Sequence, residues 1–252
     1  MGKYTFNAEE VKNRLVAWLR DWFAENGNGC NAVVGMSGGK DSTIVAALCV
    51  EALGKDRVIG VSMPDGAQGE NDADRICAFL GIRYIVAPIT NITTGIKNAV
   101  YVDNGREAKP EFSKQAEQNI PPRARMLTLY AISQSNNGRV VGTCNLSEDV
   151  CGYFTVHGDG ASDVEPLANL TVTEVRHIGD ALGVPKEWVW KTPDDGLPHS
   201  CSDEEKLGFT YAALDLYLRG QEVPEASIKE KMDDRMKKNA FKMKPKAKFE
   251  WQ

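Results

Sequence analysis

The sequence predicts a doubly wound α/β fold: a parallel sheet with helices on both faces, followed by a largely helical C-terminal half. Three observations carry this reading. Apolar runs of strand length recur through the first part of the chain, helix-like segments fill the gaps between them, and the runs are too continuously apolar to leave one face in water. Strands of that kind, alternating with helices, specify parallel pairing through right-handed crossovers. At 252 residues and 42% hydrophobic composition the chain can bury a core as one unit. Residues 1–252 are therefore read as a single domain, with an N-terminal helix over 8–24 and a basic tail over 237–252 as appendages.

The elements follow in order. Asn7 and Glu10 have the spacing of a helix-capping pair, and the segment to Ala24 sets Val11, Leu15, Trp18, Leu19 and Trp22 on one stripe. Strands are expected at Ala32–Val34, Val58–Val61, Arg83–Ala87 and Arg139–Gly142, with helices at Thr43–Leu53, Asn71–Leu80 and Pro122–Ser135 between them. Further on, Thr171–Glu174 and Ser202–Glu205 each resemble a capping box. The first opens a helix carrying Val172, Val175, Ile178 and Leu182; the second opens one carrying Leu207, Tyr211, Leu214 and Leu218. Lys97–Ser113 and the proline-rich Trp188–Ser202 read as long polar loops, and the tail from Lys237 as a solvated terminus.

Composition narrows the function. A net charge of −5 argues against an obligate nucleic-acid binder, which needs a basic face. Lys12, Arg14, Arg20 and Asp21 interrupt the first apolar stretch, so neither a leader peptide nor a membrane span is expected. The six cysteines form no C-x-x-C pair and sit mostly among apolar residues, as reduced thiols of a cytoplasmic protein would.

The chemistry concentrates in Asn31–Ser42, NAVVGMSGGKDS. A nucleotide-triphosphate loop of the Walker type would need one more residue between Gly35 and Gly39, and a hydroxyl where Asp41 stands. What remains is a strand, Ser37, two glycines, Asp41, Ser42 and a helix start: backbone N–H groups and hydroxyls shaped for phosphate. A carboxylate beside such an anion nest implies a cation, and magnesium prefers one or two carboxylates plus phosphate oxygens.

SGGKDS resembles the pyrophosphate-binding loop of the N-type ATP pyrophosphatases. Further along, PRARMLTLY (Pro122–Tyr130), VGTCNLSE (Val141–Glu148), GYFTVHGDGASDVEP (Gly152–Pro166) and DEEKLGFTY (Asp203–Tyr211) are similar, in order and spacing, to NAD synthetases. The resemblance spans nearly the whole chain. It implies an adenine nucleotide alpha hydrolase-like (Rossmann-like) sheet and a homodimer, with the N-terminal helix as an interface element. It also implies amidation of deamido-NAD by ammonia, with ATP as co-substrate and Mg2+ as cofactor, through an acyl adenylate. On the same grounds Gly35, Met36, Ser37, Gly38, Gly39, Lys40, Asp41 and Ser42 hold the phosphates, Asp41 and Ser37 act catalytically, and Asp41 and Glu148 ligate the metal. Thr143 and Asp194 would contact ATP. Arg123 and Asp163 would contact the dinucleotide, with Arg125 and Asp159 as competing choices, and Lys242 would keep a role at the site.

Where some family members carry lysines, this chain has Val156 and Val172, so those contacts are not carried over. Lys186, Lys191 or the basic tail could restore the lost charge. The amidohydrolase segment of glutamine-using relatives has no counterpart here, which points to free ammonia or ammonia from a separate subunit. Two other readings are a tRNA-modifying pyrophosphatase, which should show paired cysteines and a basic face, and a nucleotide-binding module that has lost catalysis. Within the loop, Asp41 is the informative letter and Lys40 the least informative one.

Overall fold

The computed structural model describes residues 4–66, 72–103, 105–108, 111–191, 203–245 and 247–251. After helix α1 (Ala8–Asn26), the chain enters β1 (Asn31–Gly35), crosses through α2 (Lys40–Leu53) to β2 (Val58–Ser62), and through α3 (Ala73–Leu80) to β3 (Arg83–Val86). It then passes α4 (Thr90–Lys97), the two-stranded hairpin β4 (Tyr101–Asp103) and β5 (Arg106–Ala108), and the long α5 (Lys114–Ser135), returning to β6 (Gly138–Val141). The main sheet has the order β3-β2-β1-β6 and is parallel throughout. Chain order therefore reverses at β1, whose neighbours β2 and β6 lead off in opposite directions.

The doubly wound reading holds because the central strands are apolar on both faces. Ala32 and Val34 of β1 join the core formed with α1, α2 and α3, while Val33 joins Ile59, Val61, Ala124 and Leu129 on the α5 side. β3 differs: Arg83 and Val86 are exposed, so this strand is an edge and not one buried on both faces. The hairpin β4–β5 replaces part of the long loop expected over 97–113.

α1 is integral to the core, since Leu19 and Phe23 are fully buried against the α2 side, whereas Trp18 of the expected stripe is 43% exposed. α5 begins two turns before the prolines that resembled a helix start. Its cap is Ser113, whose hydroxyl accepts the Ala116 N–H, and Pro121 and Pro122 lie inside the helix. Trp188 and Val189, placed by sequence in an irregular loop, are core residues at α8 (Lys186–Val189).

The C-terminal half is helical as expected: α6 (Leu146–Val150), α7 (Val172–Ala181), α8, α9 (Asp203–Leu207), α10 (Tyr211–Leu218) and α11 (Ala226–Asn239). The box at Thr171 is complete, with Thr171 and Glu174 each bonding the other's backbone N–H. The single helix expected over Leu207–Leu218 is two. Gly208, at φ +76, ends α9, and the Thr210 hydroxyl caps α10 by accepting the Ala213 N–H. Ser202 and most of the proline-rich stretch lie outside the described residues. The expected frayed tail is ordered through Met243, in α11 and a short 3-10 turn, and packs so closely on Gly152 that a Cβ there would lie 2.3 Å from Asn239 Cβ. Among the described residues no helix is long and apolar enough to cross a membrane, and the five described cysteines are buried and unbridged.

Candidate functional site

β1 and β6 run side by side with Val34 opposite Val141, so the segments that follow them, Met36–Gly39 and Gly142–Asn145, leave the same edge of the sheet. This is the position at which open α/β sheets receive ligands, outside the carboxyl ends of the strands where chain order reverses. The sequence enforces the turn after β1. Met36 is buried and donates its N–H to the Val61 carbonyl, which brings the chain to Gly38 at φ +78, a conformation that other residues rarely adopt.

Gly39 is the N-cap of α2 and supplies no side-chain cap. The first N–H groups of α2 therefore point outward without intrahelical partners, as a phosphate requires. The hydroxyls are set close by: Ser37 Oγ accepts the Gly39 N–H at 3.2 Å and lies 3.3 Å from Ser42 Oγ, while Ser42 and Thr43 both donate to the Gly39 carbonyl.

Asp41 and Glu148 come from different helices but face one cation. Lys40 Nζ donates to Asp41 Oδ2 at 2.7 Å and stands 3.8 Å from Glu148 Oε1, with only 7% of its side chain exposed. Asn145 ties the two helices together. It is fully buried; its Oδ1 accepts the Glu148 N–H at 3.1 Å, capping α6, and its Nδ2 donates to Asp41 Oδ1 at 3.2 Å. The electrostatics follow from the count of charges. Burial alone would lower the Lys40 pKa, but Asp41 and Glu148 outweigh it and hold the ammonium above the ordinary lysine range. Burial, and after it the neighbouring Asp41 charge, push Glu148 above the ordinary glutamate range against the pull of Lys40.

Lys40, the least informative letter of the loop by sequence, pairs here with both carboxylates, and Asn145, which the sequence reading did not single out, braces the candidate site. Its signal was present, an Asn three residues before Glu at the start of a helix.

The other expected residues fall around this centre. Thr143 is partly exposed just beyond β6. Gly142 beside it permits a close approach: a Cβ would come within 2.8 Å of Glu165 Cγ, and the Gly142 N–H bonds the Val164 carbonyl. Asp163 has a structural task, since Oδ2 accepts the Val140 N–H at 2.7 Å and Oδ1 accepts from Tyr130. Arg123 is exposed on α5 and donates to the Val156 carbonyl; Arg125 donates to the Met63 carbonyl just beyond β2, and Asp159 Oδ1 accepts the Thr155 N–H. Lys242 Nζ donates to the carbonyls of Gly152 and Phe154 at 2.6 and 2.9 Å. Val156, Asp163 and Lys242 line an open cavity of about 580 Å³ with Tyr130, Phe154 and His157. Asp194 lies outside the described residues.

Val172 is core, at 2% exposure. Of the suggested replacement cations, Lys191 is paired with Asp72 at 2.8 Å. Arg176, one turn along α7 from Val172, lies close enough to Lys40 to oppose its charge and stacks 5.4 Å over the Trp190 ring.

The donor set fits a magnesium ion. Two carboxylates converge where a cation already stands, and phosphate oxygens would complete the shell. Among the described residues no group of three or more His, Cys, Asp or Glu side chains forms a metal cage.

Comparison with known proteins identifies the family. A family model described as NAD synthase matches residues 11–251. An NH(3)-dependent NAD(+) synthetase from Methanocaldococcus jannaschii is 41% identical over 88% of this chain and 86% of the relative. Among solved structures, an NMN synthetase from Francisella tularensis superposes with a TM-score of 0.83 at 29% identity, covering 98% of this chain and all of that one. An NH3-dependent NAD synthetase from Campylobacter jejuni does so with a TM-score of 0.78 at 27% identity, over 97% of this chain and all of that one.

Proposed function

The chain belongs to the NAD synthase family, and from that premise we propose that it amidates the nicotinic acid carboxylate of deamido-NAD with ammonia, converting ATP to AMP and pyrophosphate. One observation carries the proposal to these residues. Asn145 locks Asp41 of the phosphate-shaped loop to the helix bearing Glu148, so the two carboxylates meet beside an uncapped helix N-terminus.

The chemistry asked of such a site is activation of a poor electrophile. A carboxylate oxygen of deamido-NAD attacks the α-phosphorus of ATP, the bond to the β-phosphate oxygen breaks, and the acyl adenylate then loses AMP to ammonia. Most of this is positioning and charge neutralisation. The N–H groups at the start of α2, with the Ser37 and Ser42 hydroxyls, hold the departing pyrophosphate. Thr143 contacts the nucleotide from the end of β6, and Arg176 adds positive charge from the α7 side. Asp41 and Glu148 hold Mg2+, which when bound withdraws charge from the phosphate oxygens and makes pyrophosphate a better leaving group. Arg123, Asp163 and Lys242 attend the dinucleotide at the cavity beside residues 154–165, and Asp194 the ATP.

The homodimer reading draws support from a different surface than α1, whose apolar stripe is largely spent on the core. Ile85, Ala87, Ile92, Leu127 and Ala131 line an exposed apolar groove of about 430 Å³, and Leu127 is 64% exposed there. Buried, unbridged cysteines suit a cytoplasmic setting.

The test is direct: purified protein with ATP, MgCl2 and ammonium chloride, given deamido-NAD or its mononucleotide counterpart in parallel. NAD and AMP should appear in equal amounts from deamido-NAD, and glutamine should not replace ammonium. Absence of substrate-dependent AMP would end the enzyme reading, equal activity on glutamine would end the ammonia reading, and preference for the mononucleotide would reassign the substrate.

A further inference from the structure

Lys40 occupies an unusual place. Neighbouring residues on a helix ordinarily point apart, yet the Lys40 side chain folds back onto Asp41 at 2.7 Å and reaches Glu148 at 3.8 Å, from a position where only 7% of it is exposed. It stands on the oxygens that a divalent cation would use. An ammonium and a metal ion cannot both fill that space, so one must leave for the other to bind. Lys40 is also the first residue of α2, within the phosphate loop itself, so an ammonium released from the carboxylates stays beside the phosphate site, where Arg176 adds a second positive charge.

We propose that Lys40 is an internal counter-ion that occupies the Asp41–Glu148 metal site when substrate is absent, and that the incoming divalent cation displaces it onto the nucleotide phosphates. The inference rests on the assignment of Asp41 and Glu148 as metal ligands, and it explains how two partly buried carboxylates are held together before substrate arrives. It makes nucleotide-free protein a poor metal binder by construction. Metal and nucleotide then enter as one event, because phosphate gives the displaced ammonium a new partner.

Mn2+ is the probe, with the free ion counted by electron paramagnetic resonance in the wild type, Lys40→Gln and Lys40→Arg. Without nucleotide, Lys40→Gln should bind Mn2+ at least about tenfold more tightly than wild type. Lys40→Arg, which keeps a cation, should stay close to wild type. The gap should narrow when an ATP analogue with a methylene between its α and β phosphates is added. Equal Mn2+ affinity of Lys40→Gln and wild type without nucleotide would overturn the proposal. Should Lys40→Gln fail to fold, crystals of wild-type protein with Mn2+ and the analogue decide the matter. Nζ out of ion-pair range of Asp41 supports displacement, and Nζ still paired with Asp41 beside bound Mn2+ refutes it. No Mn2+ binding by any of these proteins even with the analogue would remove the metal assignment itself, and this inference with it.

Discussion

Asn145 offers the sharpest test of how the site is held. Its amide makes two bonds at full burial: the oxygen caps α6 at the Glu148 N–H, and the nitrogen donates to the Asp41 carboxylate. Loss of a side-chain N-cap costs about 1 kcal/mol, and loss of a bond to a charged acceptor about 2 kcal/mol. Asn145→Ala should therefore destabilise the protein by about 3 kcal/mol. Asn145→Asp separates the parts, because its carboxylate can still accept the Glu148 N–H but repels Asp41 where the amide attracted it. It should retain the cap and still lose most of the activity. Urea unfolding followed by tryptophan fluorescence gives the stability change, and steady-state formation of AMP gives the catalytic one. Asn145→Ala within about 0.5 kcal/mol of wild type, the range of an inconsequential surface change, would show that this amide does not brace the site.

Four other outcomes follow from the same structure. Asp41→Asn and Glu148→Gln should each abolish NAD formation; Glu148→Gln, which relieves carboxylate repulsion, should leave thermal unfolding close to wild type or raised, whereas Asp41→Asn should lower it by removing the nearer partner of the buried Lys40 ammonium; activity within tenfold of wild type in either would contradict the metal assignment. Arg219 forks onto the buried Glu174 at 2.7 and 2.6 Å, so Arg219→Ala should cost about 3 kcal/mol by leaving a buried charge unpaired. Burial favours the neutral form of Glu174, but Arg219, Tyr4 and the Thr171 N–H outweigh it and hold the pKa below the ordinary glutamate value. The pair's contribution is thus complete above about pH 4.3 and is lost as pH falls through the lowered folded pKa, a window that urea titrations of wild type against Glu174→Gln would reveal. Leu127→Glu should convert a homodimer to monomer in light scattering, and an unchanged mass would exclude the α5 groove as the contact.

The parts of the fold that were legible in sequence are those whose burial is local and two-sided. β1, β2 and β6 announce themselves because Ala32–Val34, Val58–Val61 and Val140–Val141 meet apolar surface on both faces. β3 shows the limit of that signal, for an edge strand with exposed Arg83 and Val86 looks the same as a central one in a short run. The prolines of α5 mimic a helix start, and nothing near Ser113 advertises an apolar stripe. α11 was hidden because only Met232 of its fourteen residues is buried, leaving charged residues nearly all round. At the site, short motifs marked the loop and Glu148 as candidates. The pairing of Lys40 was not legible, because it depends on a carboxylate that follows the neighbouring strand β6 and is held in place by Asn145.

The proposed order of events is that the carboxylate of deamido-NAD is joined to AMP before ammonia attacks. It is tested most directly by carrying out the reaction with deamido-NAD labelled with 18O in the nicotinic acid carboxylate and weighing the products by mass spectrometry. Transfer of one 18O to each AMP formed with NAD is the result predicted here; NAD formed alongside unlabelled AMP would contradict it.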